Sequence, residues 1–362
     1  MTEFASRTER ARLAMTEAGI DSLCLSVGSD LPYLTGYRAM PLERLTMLVV
    51  PRVGEAVLVV PELEAPRVDP SPGTFVMQPW SETEDPVAIV NELLDGADRV
   101  AIGDETWTRF SLALQNIGWQ RAWVPAGDLM AGLRILKSET EIDRLREAAA
   151  TVDTVVDEMV AVSWLGRTER DIARELAERT IAGGHESVDF TIVASGPNGA
   201  SPHHDAGDRV VERGDAVVVD FGGHQAGYAS DTTRMFVVGE PPKGFVDAYD
   251  VLRSAQETAV AAVRPGVTAE SIDAVARAII AGAGYGDRFI HRVGHGIGMD
   301  AHEQPYLVEG NEQVLEPGMA FSVEPGIYTP GEWGMRLEDI VVVTDDGVEP
   351  LNRSSHEVRF VG

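Results

Sequence analysis

The amino-acid sequence predicts an α/β (α+β) protein in two parts: a smaller N-terminal α/β domain over residues 1–127 and a duplicated helix–helix–strand–strand domain over residues 130–362. Three observations predict it. A chain of 362 residues is longer than most single hydrophobic cores support. Up to residue 127, short β-branched runs alternate with helical patterns, the mark of an α/β layer. Beyond residue 130, two helices followed by strands occur twice.

In the first part the strand signals are SLCLSV from residue 22, LTMLVVP from 45, AVLVVP from 56, TFVMQPW from 74 and RVAIGD from 99. Helical patterns fall near 3–18, 86–96 and 106–117, and the boundary is placed between Ala126 and Ala131. Next, Ser138 and Glu141 have capping-box spacing ahead of the apolar series Ile142, Leu145, Ala149, Val152 and Val156, so a long helix starts there. A second helix is expected from Thr168 to Ile181, followed by the strand DFTIVASG. The order then repeats, with helices over Lys243–Val263 and Thr268–Ile280, then FIHRVGHGIG.

Each half ends in a hairpin that carries two acids. Residues 216–238 are two apolar runs around a Gly-rich turn, and a turn centred on Gln225 and Ala226 sets Asp220 opposite Asp231. Residues 319–343 turn at Pro330, Gly331 and Glu332, which sets Glu324 opposite Glu338. Opposed strand residues share a face with Cβ atoms about 4.5–5.5 Å apart, so each hairpin aims a carboxylate pair at one point. Buried like charges raise each other's pKa, and a sheet holds such pairs only with cations to neutralise them. His295 lies between the two hairpins in sequence and can close the shell. Four hard oxygens and one imidazole suit manganese, cobalt or zinc and leave the choice among them open.

Composition excludes other classes. A net charge of -28 repels phosphate backbones and anionic membranes, so neither nucleic acid nor a membrane is an expected partner. The N-terminal MTEFASRTERARLAM has no apolar core of a signal peptide, and no run approaches 18 apolar residues. A lone Cys24 in LCLSV reads as a small core residue and fits a reducing cytoplasm.

The segments VVVDFGG with SDTTR, VGHGIG with AHE, SVEPGIY and MRLED resemble the pita-bread metallopeptidase family, which includes methionine aminopeptidase, aminopeptidase P and prolidase. SGPNGASPHH at 195–204 and LRILKSETEIDRLREAA resemble its aminopeptidase P and prolidase (Xaa-Pro dipeptidase) branch, and DLPYLTGY at 30–37 extends the likeness to a creatinase-like N-terminal domain. The resemblance implies two divalent metal ions, manganese foremost. Asp220 would bind one, Asp231 and Glu338 would bridge, and His295 with Glu324 would complete the other shell. It implies a bridging hydroxide as nucleophile and Glu324 as both ligand and proton carrier. His203 and His302 would contact the substrate carbonyl, although the adjacent His204 is an alternative to His203 on position alone. His291 would line the substrate pocket, and Arg336 would orient a ligand, bind a substrate carboxylate or serve as a structural ion pair. The expected substrate is a small Xaa-Pro peptide, a dipeptide as in prolidases or a longer one as in aminopeptidase P. A homodimer is expected, with Tyr37 and Arg38 as candidates for reaching a neighbouring site. A non-peptide substrate, or a metal-free binding protein on the same fold, are the other classes; relatives of the latter kind lose metal ligands, and all five are present here.

Three further expectations stand on residue type alone. Thr233 is either a hydrogen-bond partner of a ligand or an ordinary strand residue. Trp333 either walls the pocket or covers the sheet. His185, His224 and His356 have no motif around them and are expected at the surface.

Overall fold

The computed structural model describes residues 2–69 and 74–362, and these divide into two compact units, the first ending at Arg134 and the second spanning Ile135–Gly362. The first unit contains α1 (Glu3–Ala18), β1 (Ser22–Leu25), α2 (Asp30–Thr35), β2 (Met47–Pro51), β3 (Val57–Pro61), β4 (Val76–Trp80), α3 (Pro86–Leu93), β5 (Arg99–Ile102), α4 (Thr108–Ile117), β6 (Ala122–Pro125) and α5 (Gly127–Arg134). Its sheet runs β4-β3-β2-β1-β5-β6, with β2 antiparallel to both its neighbours β1 and β3 and the outer pairs parallel. Cys24, Val49, Val59, Val100 and Phe110 pack one buried face. Cys24 is free and buried, and desolvation pushes its thiol up to about 12, so it behaves as a small apolar residue.

The division lies a few residues later than the sequence placed it. Residues 127–134 form a helix that belongs with the first unit, because Arg10 Nη2 and Tyr33 Oη both donate to the Leu133 carbonyl, at 2.8 and 2.9 Å, and Arg134 pairs with Asp30 at 2.9 Å.

The second unit opens with α6 (Glu139–Met159), whose Ser138–Glu141 capping box forms as the spacing predicts. Tyr228 Oη also donates to Glu141 Oε1 at 2.9 Å, so the box is tied to the sheet it covers. Ser138→Ala is expected to cost about 1 kcal/mol, measured as a shift in urea midpoint at unchanged slope. Then come α7 (Glu169–Ala182), β7 (Ser187–Ser195), β8 (Ala216–Gln225), β9 (Tyr228–Val238), α8 (Phe245–Ala262) and α9 (Ala269–Gly282). The remaining strands are β10 (Gly294–Gly296), β11 (Glu303–Leu307), β12 (Ala320–Val323), β13 (Gly326–Thr329), β14 (Trp333–Arg336), β15 (Asp339–Val343), β16 (Val348–Pro350) and β17 (Arg359–Val361). They form sheets ordered β17-β9-β8-β7 and β11-β10-β12-β15-β16, with β13-β14 as a separate ribbon.

The duplication is visible in backbone detail: the helix-start positions recur one hundred residues on and their partners one hundred and four residues on. Gly166 N donates to Val211 O and Gly266 N to Leu315 O, at 3.0 and 2.9 Å; Thr168 bridges Val210 and Thr268 bridges Val314. Glu169 N and Ala269 N then donate to Arg209 O and Gln313 O. The halves meet where Thr233 on β9 bridges Glu338, at the edge of β15. No helix among the described residues is long and apolar enough to cross a membrane.

Candidate metal centre

The first acid hairpin is registered two residues away from its expected pairing. Asp220 faces Thr233 and Gly222 faces Asp231, because the turn is Ala226–Gly227 with φ of 50° and 77°. Two positive-φ residues make the tight connection whose twist suits antiparallel strands, and a sequence centre on Gln225–Ala226 misses it. A shift of two keeps every side chain on its face, so both aspartates still project together. In the second hairpin, Val323 pairs with Asp339 and Gly326 with Arg336, which brackets Glu324 and Glu338 in the expected opposition.

All four carboxylates and His295 converge. Ligand atoms of Asp220, Asp231 and Glu338 lie within 4.8 Å of one another, as do those of His295, Glu324 and Glu338, and those of Asp231, His295 and His302. Glu338 thus sits between an aspartate side and a His295–Glu324 side. His302 enters as a further donor within reach, which the sequence reading did not assign.

A cation fits what these residues lack. Asp220 Oδ1, Asp231 Oδ1 and Glu338 Oε1 are buried without a hydrogen-bond partner, a costly arrangement for three acceptors. Burial first, and then the neighbouring carboxylates, push Asp231 and Glu338 well above the usual carboxylate range. Glu324 is held down to about 2: burial opposes its charge, and contact with His295 outweighs that. His295 Nδ1 donates to the Gly296 carbonyl at 3.1 Å, which leaves Nε2 facing Glu324 Oε1 at 3.1 Å and Asp231 Oδ2 at 3.7 Å. A nitrogen lone pair aimed at two carboxylates needs a cation or a proton between them.

Surrounding groups fix the donors. Thr233, fully buried, donates to Glu338 Oε2 at 2.7 Å and accepts from Arg336 Nε at 3.2 Å, so it is a hydrogen-bond partner of Glu338. Arg336 also pairs with Asp220 and donates to Tyr328 Oη at 2.8 Å and the Pro202 carbonyl at 3.3 Å. Its guanidinium is thus bonded on several sides within the protein. Ser322 Oγ accepts from His295 N and donates to Glu324 Oε1, each at 3.0 Å; near the end of β12 and two residues before Glu324, it was findable by alternation. Tyr328, which sequence reasoning did not single out, is buried and also bonds His291 Nε2 at 2.9 Å. Tyr328 lies within SVEPGIY, which is the signal that could have found it.

The centre floors a cleft of about 1010 Å³, lined by Phe190, Ile192, His203, His204, His291, Arg292, His302 and the acids, among others. Six of the eight histidines are committed to hydrogen bonds or carboxylate contacts within the protein. His203 and His302, both exposed to the cleft, have no hydrogen-bond partner among the described residues. His302 stacks on His295, ring centres 3.8 Å apart, and desolvation with the neighbouring ring lowers its pKa to about 4, so it is neutral. His204 Nε2 bonds Glu169 at 2.8 Å, so of the adjacent pair His203 is the free imidazole.

Three expectations are corrected. His185 is buried, bonded to Ser230 at 2.7 Å, and burial lowers its pKa to about 4. His224 and His356 are half-buried and engaged, with Met299 O and Asp339 respectively. Tyr37 is buried in its own unit, while Arg38 is exposed. Of the two readings of Trp333, the second holds: it packs edge-on against Phe245 at 5.7 Å within the core and covers the sheet.

A duplicated sheet whose midline gathers four carboxylates and a histidine defines a metal-dependent hydrolase. The chain belongs to metallopeptidase family M24, whose model matches residues 143–345, and the creatinase/prolidase N-terminal domain model matches residues 7–136. It is 45% identical over 99% of its length, and 96% of the relative's, to the probable dipeptidase PepE of Mycobacterium tuberculosis. The crystal structure of dipeptidase PepE from Mycobacterium ulcerans is 43% identical, with a TM-score of 0.93 over 99% of this chain and 98% of that one. Recombinant prolidase from Thermococcus sibiricus is 34% identical, with a TM-score of 0.94 over the whole of both chains. The protein is a peptidase with a creatinase-type N-terminal domain and a pita-bread catalytic domain.

Proposed function

We propose that this metallopeptidase is an Xaa-Pro dipeptidase that works with two divalent ions, manganese foremost. Asp220, Asp231, His295, Glu324 and Glu338 would hold the ions. When bound, the ions lower the pKa of a water towards neutrality and polarise the scissile carbonyl.

The observation that carries this reading is the pair of imidazoles without internal partners, His203 and His302, beside a cluster of buried acids. A side chain with no partner of its own in a cleft is free to bond a reacting group. Both imidazoles donate to the carbonyl oxygen as it gains charge, an interaction stronger in the transition state than in the ground state. Glu324 is the least buried of the four acids, with 15% of its side chain exposed, and it carries the proton from the attacking water to the leaving nitrogen. His291 lines the pocket, held by its bond to buried Tyr328. Arg336 holds Asp220 in place.

Two features support a short Xaa-Pro substrate. Phe190, Ile192 and Pro202 give the cleft an apolar wall for a pyrrolidine ring, and Arg170, Arg174 and Arg292 line the same cleft as cations for a dipeptide's carboxylate. Relatives named dipeptidase and prolidase agree with it. We further place the protein in the reducing cytoplasm, on its single buried thiol, and as a homodimer with Arg38 as the exposed candidate at the neighbouring site. Manganese-reconstituted protein assayed on Ala-Pro, Ala-Pro-Ala and Met-Ala-Ser should turn over Ala-Pro fastest and Met-Ala-Ser least. Faster cleavage of Ala-Pro-Ala would move the reading to aminopeptidase P, and no turnover of any, with metal bound, would sink it.

A further inference from the structure

Glu169 is the first residue of α7, fully buried, and belongs to none of the metal-competent groups. Its carboxylate is spent on one loop. Oε1 accepts from Ser195 N at 2.8 Å, Ser195 Oγ at 2.6 Å and Asn198 Nδ2 at 3.0 Å. Oε2 accepts from Asn198 Nδ2 at 3.2 Å, His204 Nε2 at 2.8 Å and Gly207 N at 3.2 Å. Every one of these donors lies in residues 195–207, the segment that carries His203. Burial alone would raise the Glu169 pKa, but the Ser195, His204 and Asn198 bonds outweigh it and keep the group ionised.

The duplicated half serves as an internal control. The residue equivalent to Glu169 is Ala269, and α9 starts with the same backbone bridge and an apolar side chain there. Starting the helix therefore does not require a carboxylate. What the first half has in addition is the loop with His203, and that loop supplies the donors. In the second half a different carboxylate ties down the segment ahead of the metal histidine. Asp273 accepts from Val293 N at 3.0 Å and pairs with Arg277, which donates to the carbonyls of Phe289 and His291.

We infer that Glu169 is a positioning residue for peptide hydrolysis: it fixes the loop on both sides of His203 and thereby sets where that imidazole points in the cleft. This rests on the role proposed above for His203. Lacking a hydrogen bond of its own among the described residues, His203 takes its direction from its neighbours. Pro202 is held through its carbonyl by Arg336, and His204 through its ring by Glu169.

Glu169→Gln keeps the volume and one acceptor oxygen but sets an NH₂ against donors, so one end of the loop is released. Misplacing a catalytic group by about 1 Å costs on the order of 10²-fold. Glu169→Gln should therefore lower kcat on Ala-Pro by about 10²-fold, with KM and the metal content per chain little changed. In a His203→Ala background, the same substitution should add little further loss, since the group it positions is gone. His204→Ala leaves the Glu169 charge in place, cuts the loop only after His203, and should show a smaller kcat loss that also vanishes in the His203→Ala background. It serves as the second probe if Glu169→Gln does not fold. Full multiplication of the single losses in the double variants, unchanged kcat in Glu169→Gln, or loss of metal in step with activity would each overturn the inference. Wild-type turnover by His203→Ala would instead sink the role of His203, and the inference with it.

Discussion

Asp231→Asn is expected to leave the centre unable to load metal and to lower kcat by about 10³-fold or more, without lowering the melting temperature of the metal-free protein. The two halves of this expectation share one cause. Asp231 is buried, its Oδ1 has no partner, and Glu338, Asp220 and Glu324 surround it. In metal-free protein its charge is desolvated and repelled, as the strong upward push on its pKa records. Asparagine has nearly the same shape without the charge, so the fold loses nothing. With metal present the comparison reverses. The wild type gains stability by binding, about 2.7 kcal/mol at a hundred times the dissociation constant, while the variant gains little. Metal content per chain and melting curves with and without chelator measure both. A variant that still holds two ions per chain, or whose chelated form melts well below chelated wild type, contradicts the argument.

The same geometry explains which parts of this molecule were legible in the sequence. The acid hairpins were readable because strand alternation is robust: the Asp220–Asp231 register slipped by two, and both side chains stayed on the cleft face. The slip came from Ala226 at φ 50°, a conformation that an alanine gives no reason to expect. The long helices of the second unit were readable from the Ser138 capping box and from their apolar spacing. Helix α2, strand β6 and helix α5, of four to eight residues, were not, since such lengths hold too few residues to display a period. Glu169 escaped for another reason. An acid in the first turn of a helix reads as ordinary dipole complement, and its partners lie 26 to 38 residues away in the chain. His185 reads as a lone polar residue, and only the fold reveals Ser230 beside it.

Arg234→Met is expected to destabilise the protein by about 3–5 kcal/mol, the cost of breaking a buried ion pair from one side. Arg234 is fully buried and pairs with Asp339 Oδ1 at 2.7 Å. It also donates to the carbonyls of Glu338, Ser354 and Thr233, so its loss leaves a buried carboxylate and several carbonyls short of donors. Asp339 keeps its other donors, His356 at 2.7 Å and Gln256 at 3.2 Å, which limits the damage. Burial pushes the Asp339 pKa up, and Arg234 and His356 together outweigh it to hold the pKa below the ordinary value. Removing the orphaned charge should therefore help: Arg234→Met with Asp339→Asn should recover part of the stability that Arg234→Met loses. Urea midpoints of the two single variants and the double variant decide this, and losses that merely add would show that the two charges are not coupled. The consequence extends to the centre, because Arg234 holds the backbone of Glu338 while Thr233 holds its carboxylate. Any loosening that survives folding should appear as weaker metal retention against a graded chelator, in the single variant first.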